Sequence, residues 1–208
     1  MSKDKSFSNQ QSGTTRFELD HDLWRAFISG SQAAFSDLYD RYVDILYAFG
    51  MRYSHDTDLI KDCIHDLFID LHNYRSGLAK DVNVKFYLLK SLRRKIQVAN
   101  RKSNLLQIDW LVTDESMQVQ TFTFSIEDDI ITDENQREML LALSVEINKL
   151  PDRQREILYL RFNHDLEYDE IAAMMHISVP TCRTFIYRAI KHLRTKLDVS
   201  YLLLLIWV

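Results

Sequence analysis

Residues 166–197 read LEYDEIAAMMHISVPTCRTFIYRAIKHLRTKL: a helix, a tight turn and a second, strongly basic helix. Glu167, Tyr168, Asp169 and Glu170 open the first helix, placing acidic side chains where the helix dipole favours negative charge. Ile171, Ala172 and Met175 supply an inward stripe, and Ala172 is small enough to let another helix come close. His176 stands at the turn, and histidine enters the left-handed backbone region more readily than most side chains. Ser178 is a natural N-cap, and Pro180 falls in the first turn of the next helix, where no intrahelical N–H bond is lost.

Along the second helix Cys182, Ile186, Ala189 and Leu193 recur at spacings of three and four, the mark of a buried stripe. Rotation places Arg183, Thr184, Tyr187, Arg188, Lys191 and Arg194 on the opposite side, and no acidic residue occurs from Thr181 to Leu197. A basic helix face is usually no more than a solvated surface. Here turn, caps and stripe agree on a helix-turn-helix, whose second helix enters the major groove of DNA. The expected DNA contacts are Arg183, Thr184, Tyr187, Arg188 and Lys191. The cations neutralise phosphates or reach base acceptors, which makes affinity salt-dependent and gives some sequence choice.

Composition sets the frame. A length of 208 residues allows one or two domains, and 46% hydrophobic content supports real cores. Four glycines and two prolines argue for helices throughout. The formal net charge of −4 is unusual for a nucleic-acid binder, yet its distribution matters more than its sum. Lys80, Lys85, Lys90, Arg93, Arg94, Lys95, Arg101 and Lys102 share their stretch with Asp81 alone. Acids gather instead at Asp109, Asp114, Glu115, Glu127, Asp128, Asp129, Asp133 and Glu134, so two basic surfaces flank an acidic segment. Cys63 and Cys182 fall on inner helix faces in different domains, which reads as reduced core thiols rather than a disulfide.

The expected architecture is all-α, with two small helical domains joined by an acidic linker. Residues 1–18 are polar and read as a disordered tail without a signal peptide. The first domain spans 19–102. A short helix begins at Leu23, Trp24 and Phe27. Helical stripes follow at Phe35, Leu38, Tyr39, Tyr42, Val43 and Leu46, and at Ile60, Cys63, Ile64, Leu67, Phe68 and Leu71. Phe86 to Arg101 makes a fourth helix, apolar at Tyr87, Leu88, Leu92 and Ile96. Residues 103–133 read as the linker, in which 120–124 either form a short strand or dock. The second domain, 134–198, carries a stripe at Met139, Leu140, Leu143 and Ile147, a break at Leu150-Pro151, a helix from Asp152 to Phe162, and then the helix-turn-helix. Residues 199–208 form a hydrophobic tail ending YLLLLIWV. That run is too short to cross a bilayer, which needs about 20 residues. It is expected to dock against protein rather than lipid.

The chain resembles a bacterial RNA polymerase sigma factor of the sigma-70 family, specifically its small extracytoplasmic-function group, over nearly all of residues 20–200. Asp62-Cys63-Ile64-His65-Asp66-Leu67-Phe68 with Leu71 resembles the stretch that grips the polymerase clamp helices. Tyr87-Leu88 through Leu92-Arg93-Arg94 resembles the helix that supports −10 melting. Leu150-Pro151 with Arg155-Glu156, Asp169-Glu170-Ile171-Ala172 and Ile177-Ser178-Val179-Pro180-Thr181 through Tyr187-Arg188-Ala189 match the −35 reading domain. The resemblance implies a protein that catalyses nothing itself, binds core RNA polymerase and lends it promoter recognition. Polymerase contacts would fall on Asp62, His65, Asp66, Phe68 and Asp70. Contacts near −10 would come from Tyr74, Arg75 and Asn83 in the loop 73–84, which receives a flipped base, and from Tyr87, Arg93 and Lys95 along the strand. The implied partners are core polymerase, promoter DNA and an anti-sigma factor, in relatives often membrane-anchored. The implied location is the cytoplasm, without direct membrane insertion, cofactor or metal.

Two other classes compete. His55-Asp56, His65-Asp66 and His164-Asp165 offer the residue pairs of helical metal-dependent phosphohydrolases. However, His65 and His72 sit seven apart rather than four, and His164 lies in the other domain. A stand-alone helix-turn-helix regulator is the more serious rival, separated by copurification with core polymerase. It would carry a dimer helix or an effector domain, and the first domain here shows no convincing effector pocket.

Overall fold

The computed structural model describes residues 19–105 and 134–197, without the side chains of 102–105 and 134–136. Every regular element among the described residues is helical, as expected, and the chain divides into two compact units, Met1–Ser116 and Met117–Val208. The tail 1–18, most of the linker with its 120–124 stretch, and the apolar segment 199–208 lie outside the described residues.

Unit one contains α1 (19–28), α2 (Gln32–Gly50), α3 (Thr57–Tyr74), a 3-10 turn (Arg75–Gly77) and α4 (Val84–Leu105). Local chemistry sets the boundaries. Gly30 ends α1 at φ +100°, where its N–H donates to the Phe27 carbonyl and Ser31 N–H to that of Ala26, a Schellman closure. Ser31 then caps α2 by accepting from Ala34 N–H at 3.2 Å, and Asp56 caps α3 by accepting from Asp58 and Leu59. Asn83 starts α4 by accepting from Phe86 N–H at 3.1 Å. That cap places the start of α4 two residues before the expected Phe86, and the helix runs past Lys102 to Leu105. The helix therefore carries three residues into the expected linker, 103–133.

α4 packs on both α2 and α3, so more than one of its sides is covered. Leu88, Leu89, Leu92 and Ile96 are all buried, together with Leu46, Phe49, Ile60 and Ile64. Each such side chain contributes roughly 1.5–3 kcal/mol. Gly50 marks a close approach of α2 to α3: a Cβ there would lie 2.6 Å from Ile60 Cγ2. Aromatic rings seal the other end, with Trp24 5.5 Å from Tyr87 and Phe68 4.8 Å from Tyr39.

Unit two contains α5 (Glu134–Asn148), α6 (Asp152–Phe162), α7 (Tyr168–Met175) and α8 (Val179–Arg194). Its core gathers Leu140, Leu143, Ile147, Leu150, Leu158, Ala189 and Leu193. Two charged residues are buried in α6, Arg155 and Glu156. Arg155 closes the end of α5 by donating from Nη1 to the Asn148 carbonyl at 2.7 Å, while its Nη2 pairs with Asp152. This satisfies one of the carbonyls that a helix leaves without an intrahelical partner.

Candidate nucleic-acid interface

The helix-turn-helix of unit two forms as its residues dictate. Glu167 and Glu170 make a capping box at the start of α7, with Glu170 accepting from Glu167 N–H at 2.9 Å. His176 adopts the left-handed conformation at φ 54° and ψ 44°, and Ile177 N–H returns to the Ala172 carbonyl at 3.0 Å. Ser178 caps α8 by accepting from Thr181 N–H at 3.2 Å. Cys182, Ile186, Ala189 and Leu193 are buried, and Arg183, Thr184, Tyr187, Arg188, Lys191 and Arg194 are exposed.

That outer face is cationic and available. Tyr187 is 65% exposed and offers a ring to solvent. Thr184 Oγ1 donates to the Pro180 carbonyl at 2.9 Å, which engages its proton with its own helix. Arg183 lies with its guanidinium 5.4 Å from the centre of the Tyr168 ring, and Arg161 approaches the same ring at 5.1 Å. Burial pushes the Cys182 thiol above its usual range, as it does that of Cys63, so both are packing groups rather than thiolates.

In unit one some of the other expected contacts, Asp66, Asp70, Tyr74, Tyr87 and Lys95, line a groove of about 610 Å³ between α3 and α4, whereas Asp62, His65, Phe68, Arg75, Asn83 and Arg93 do not. Asp66 and Asp70 line it from α3, Arg94 and Lys95 from α4, and Tyr74 and Tyr87 also border it. Lys95 Nζ bridges to Asp70 at 2.6 Å, so a residue expected to face polymerase is paired with one expected to face DNA. Asp62, His65 and Asp66 are exposed along α3. Tyr74 is 69% exposed, and Arg75 sits half-buried in the 3-10 turn. Tyr87 is half-buried against Trp24, and Asn83 is engaged in capping α4.

Two of the expected contact residues are buried. Phe68 is 4% exposed and packs edge-on to Phe35 and Tyr39, so it is a core residue rather than a contact surface. Arg93 is 8% exposed with its guanidinium 5.5 Å from the centre of the Tyr53 ring, and does not lie open to a nucleic-acid backbone.

The loop after α3 is held by residues that sequence patterning passes over. Trp24 Nε1 donates to the Ala79 carbonyl at 2.9 Å, and Asp81 accepts from Arg25 at 2.7 Å and pairs with His21 at 3.0 Å. The Arg25 hydrogen bond, with a second from His21, holds the Asp81 carboxyl below its ordinary range. The acid that stood alone in the basic stretch therefore ties the loop to α1. No group of three or more metal-ligating side chains converges among the described residues, and no described helix is long and apolar enough to cross a membrane.

Comparison with known proteins gives three findings. Residues 136–193 match the family model for sigma-70, region 4. The chain is 24% identical over 174 residues to the ECF RNA polymerase sigma factor SigW of Bacillus subtilis (strain 168), covering 81% of this chain and 91% of that protein. Among solved structures, CnrH in complex with the cytosolic domain of CnrY aligns at TM-score 0.51 and 21% identity, over 86% of this chain and 97% of that one. The sigma factor RpoE in complex with the anti-sigma factor NepR, from Bartonella quintana, aligns at TM-score 0.50 and 21% identity, over 79% and 97%. At that identity the structural likeness establishes the fold.

Proposed function

We propose, from the premise that this chain belongs to the sigma-70 family in its extracytoplasmic-function group, that it binds core RNA polymerase and directs it to promoters through two separate DNA contacts. α8 is the −35 reader. Arg188 and Lys191 neutralise phosphates and fix its register, while Arg183 and Tyr187 reach toward base edges in the major groove. The observation that carries this reading is α8 itself: one side is buried in the core of unit two, and the other exposes four cations with no acidic residue between them.

The −10 contact belongs to unit one. Tyr74 offers an exposed ring for stacking an unpaired base, beside the loop pinned through Ala79 and Asp81. Asp62, His65 and Asp66 form the exposed side of α3 and suit a basic partner such as the polymerase clamp.

The protein contributes recognition and strand capture, and polymerase supplies the chemistry, so it is not itself an enzyme. It acts in the cytoplasm, and an anti-sigma factor holds it until needed. Both aligned proteins are seen in complex with a partner, an anti-sigma factor in the case of RpoE, which supports that last point. The test is transcription in vitro with core polymerase and a promoter library. Co-elution with core and a reproducible pair of selected boxes are expected. Failure to co-elute, together with no start-site preference, would refute the proposal.

A further inference from the structure

We propose that Tyr168 is a positioning residue for DNA recognition: its ring holds the Arg183 guanidinium in the orientation that meets the duplex. The proposal rests on α8 being the reading helix.

Arg183 lies in the second turn of α8, exposed and long, and an unrestrained side chain of that kind samples many rotamers before it meets a ligand. Its guanidinium is 5.4 Å from the Tyr168 ring centre, within cation–π range. That ring is itself fixed from both sides of the chain. Tyr168 is the first residue of α7, directly after the capping-box residue Glu167. Arg161 lies 5.1 Å from the same ring centre and is anchored twice, donating to the Leu166 carbonyl at 2.8 Å and pairing with Glu167 at 3.2 Å. A relay of Glu167, Arg161, Tyr168 and Arg183 thus joins α6, the start of α7 and the reading helix. The ligand such a fixed guanidinium takes is a phosphate or the acceptor edge of guanine, both of which reward a planar fork already oriented. The ring restricts the arginine without removing its donors, because a cation–π contact uses the face of the guanidinium and leaves its N–H groups available.

The test has two arms. In the full chain, side-chain NMR of Arg183 reads the ring current of Tyr168. A displaced Nε–H signal is expected in the parent and in Tyr168→Phe, and its loss in Tyr168→Leu. In holoenzyme assembled with core polymerase, affinity is measured for the duplex that the parent holoenzyme selects from a random library. Tyr168→Leu should weaken binding roughly two- to fivefold, the range of an exposed cation–π contact. Tyr168→Phe should not weaken it, and in an Arg183→Ala background Tyr168→Leu should have no further effect. Equal loss with and without Arg183, or equal loss in the Phe and Leu variants, overturns the proposal, as does an undisplaced Arg183 signal in the parent. If the parent holoenzyme selects no sequence, the promoter-recognition reading fails, and the NMR arm still decides whether the ring holds the arginine.

Discussion

Replacing Arg155 by methionine should destabilise unit two by about 2 kcal/mol. Arg155 is 6% exposed, and its Nη1 donates to the Asn148 carbonyl at 2.7 Å, where α5 ends. A hydrogen bond from a charged donor contributes about 1.5–3 kcal/mol, and its loss takes that donor from a helix-terminal carbonyl. The pair with Asp152 adds little, because that carboxylate is 42% exposed and such pairs contribute about 0–1 kcal/mol. Against this, Arg155 Nε is buried without a partner, and methionine removes that penalty while keeping most of the apolar stem. The balance is near 2 kcal/mol. A unit of this size holds only roughly 3–10 kcal/mol in total. Hydrogen exchange on peptides from α5 and α6 of the full chain should report the loss, with calorimetry showing a drop of roughly 8–16 °C for that unit. Asp152→Asn is the control and should cost under about 1 kcal/mol. If Arg155→Met is as stable as the parent, or Asp152→Asn costs as much, the closure of α5 does not depend on Arg155 in the way argued.

Three further outcomes follow from geometry. Gly50→Ala forces a Cβ to within 2.6 Å of Ile60 Cγ2, and overpacking of about 1–3 kcal/mol exceeds the gain of up to ~1 kcal/mol in helix propensity. A lower urea midpoint is expected, and a higher one would show that Ile60 yields. The tie between Asp81 and α1 should be pH-dependent in one direction. Because the Arg25 and His21 hydrogen bonds hold the folded carboxyl below its ordinary range, the tie is fully present above the ordinary carboxylate range and is lost as pH falls through the lowered one. Protection factors at residues 78–83, that is, exchange rates corrected for the intrinsic pH dependence of amides, should therefore fall in acid, and Asp81→Asn should lower them at neutral pH; acid-insensitive protection would refute it. Finally, Cys63 and Cys182 should alkylate slowly at mildly basic pH until denaturant is added, since burial raises both thiols; rapid modification of the native chain would contradict their packing.

What the sequence disclosed depended on how far apart the deciding partners lie. The helix-turn-helix was legible because its determinants are neighbours: Glu167 with Glu170, the left-handed His176, Ser178 with Thr181, and a stripe repeating every three or four residues. Arg93 falls inside because α4 is covered on more than one side, so a residue beside its main stripe is still buried; Phe68 lies on the apolar stripe of α3 itself, and only the resemblance gave it a polymerase contact. The ring that receives Arg93 is Tyr53, forty residues earlier. Asp81 gave no hint of His21 and Arg25, sixty and fifty-six residues away, and only the folded chain shows why one acid stands among the lysines. Tyr168 was read as part of a helix start. Its meeting with Arg161 and Arg183 needs the tertiary crossing of three helices.

The bridge between Asp70 and Lys95 has a consequence for how this groove answers ionic strength. DNA carries a condensed layer of counterions, and each phosphate that a free lysine neutralises expels some of them into bulk, which drives association and makes it salt-dependent. Lys95 instead carries a carboxylate 2.6 Å away that cannot diffuse off. An incoming anion must displace an internal rival, and added electrolyte weakens the attraction and the rivalry together. At this position the logarithm of affinity should therefore fall less steeply with the logarithm of salt than a count of neighbouring cations implies, and Asp70→Asn should restore the steeper slope.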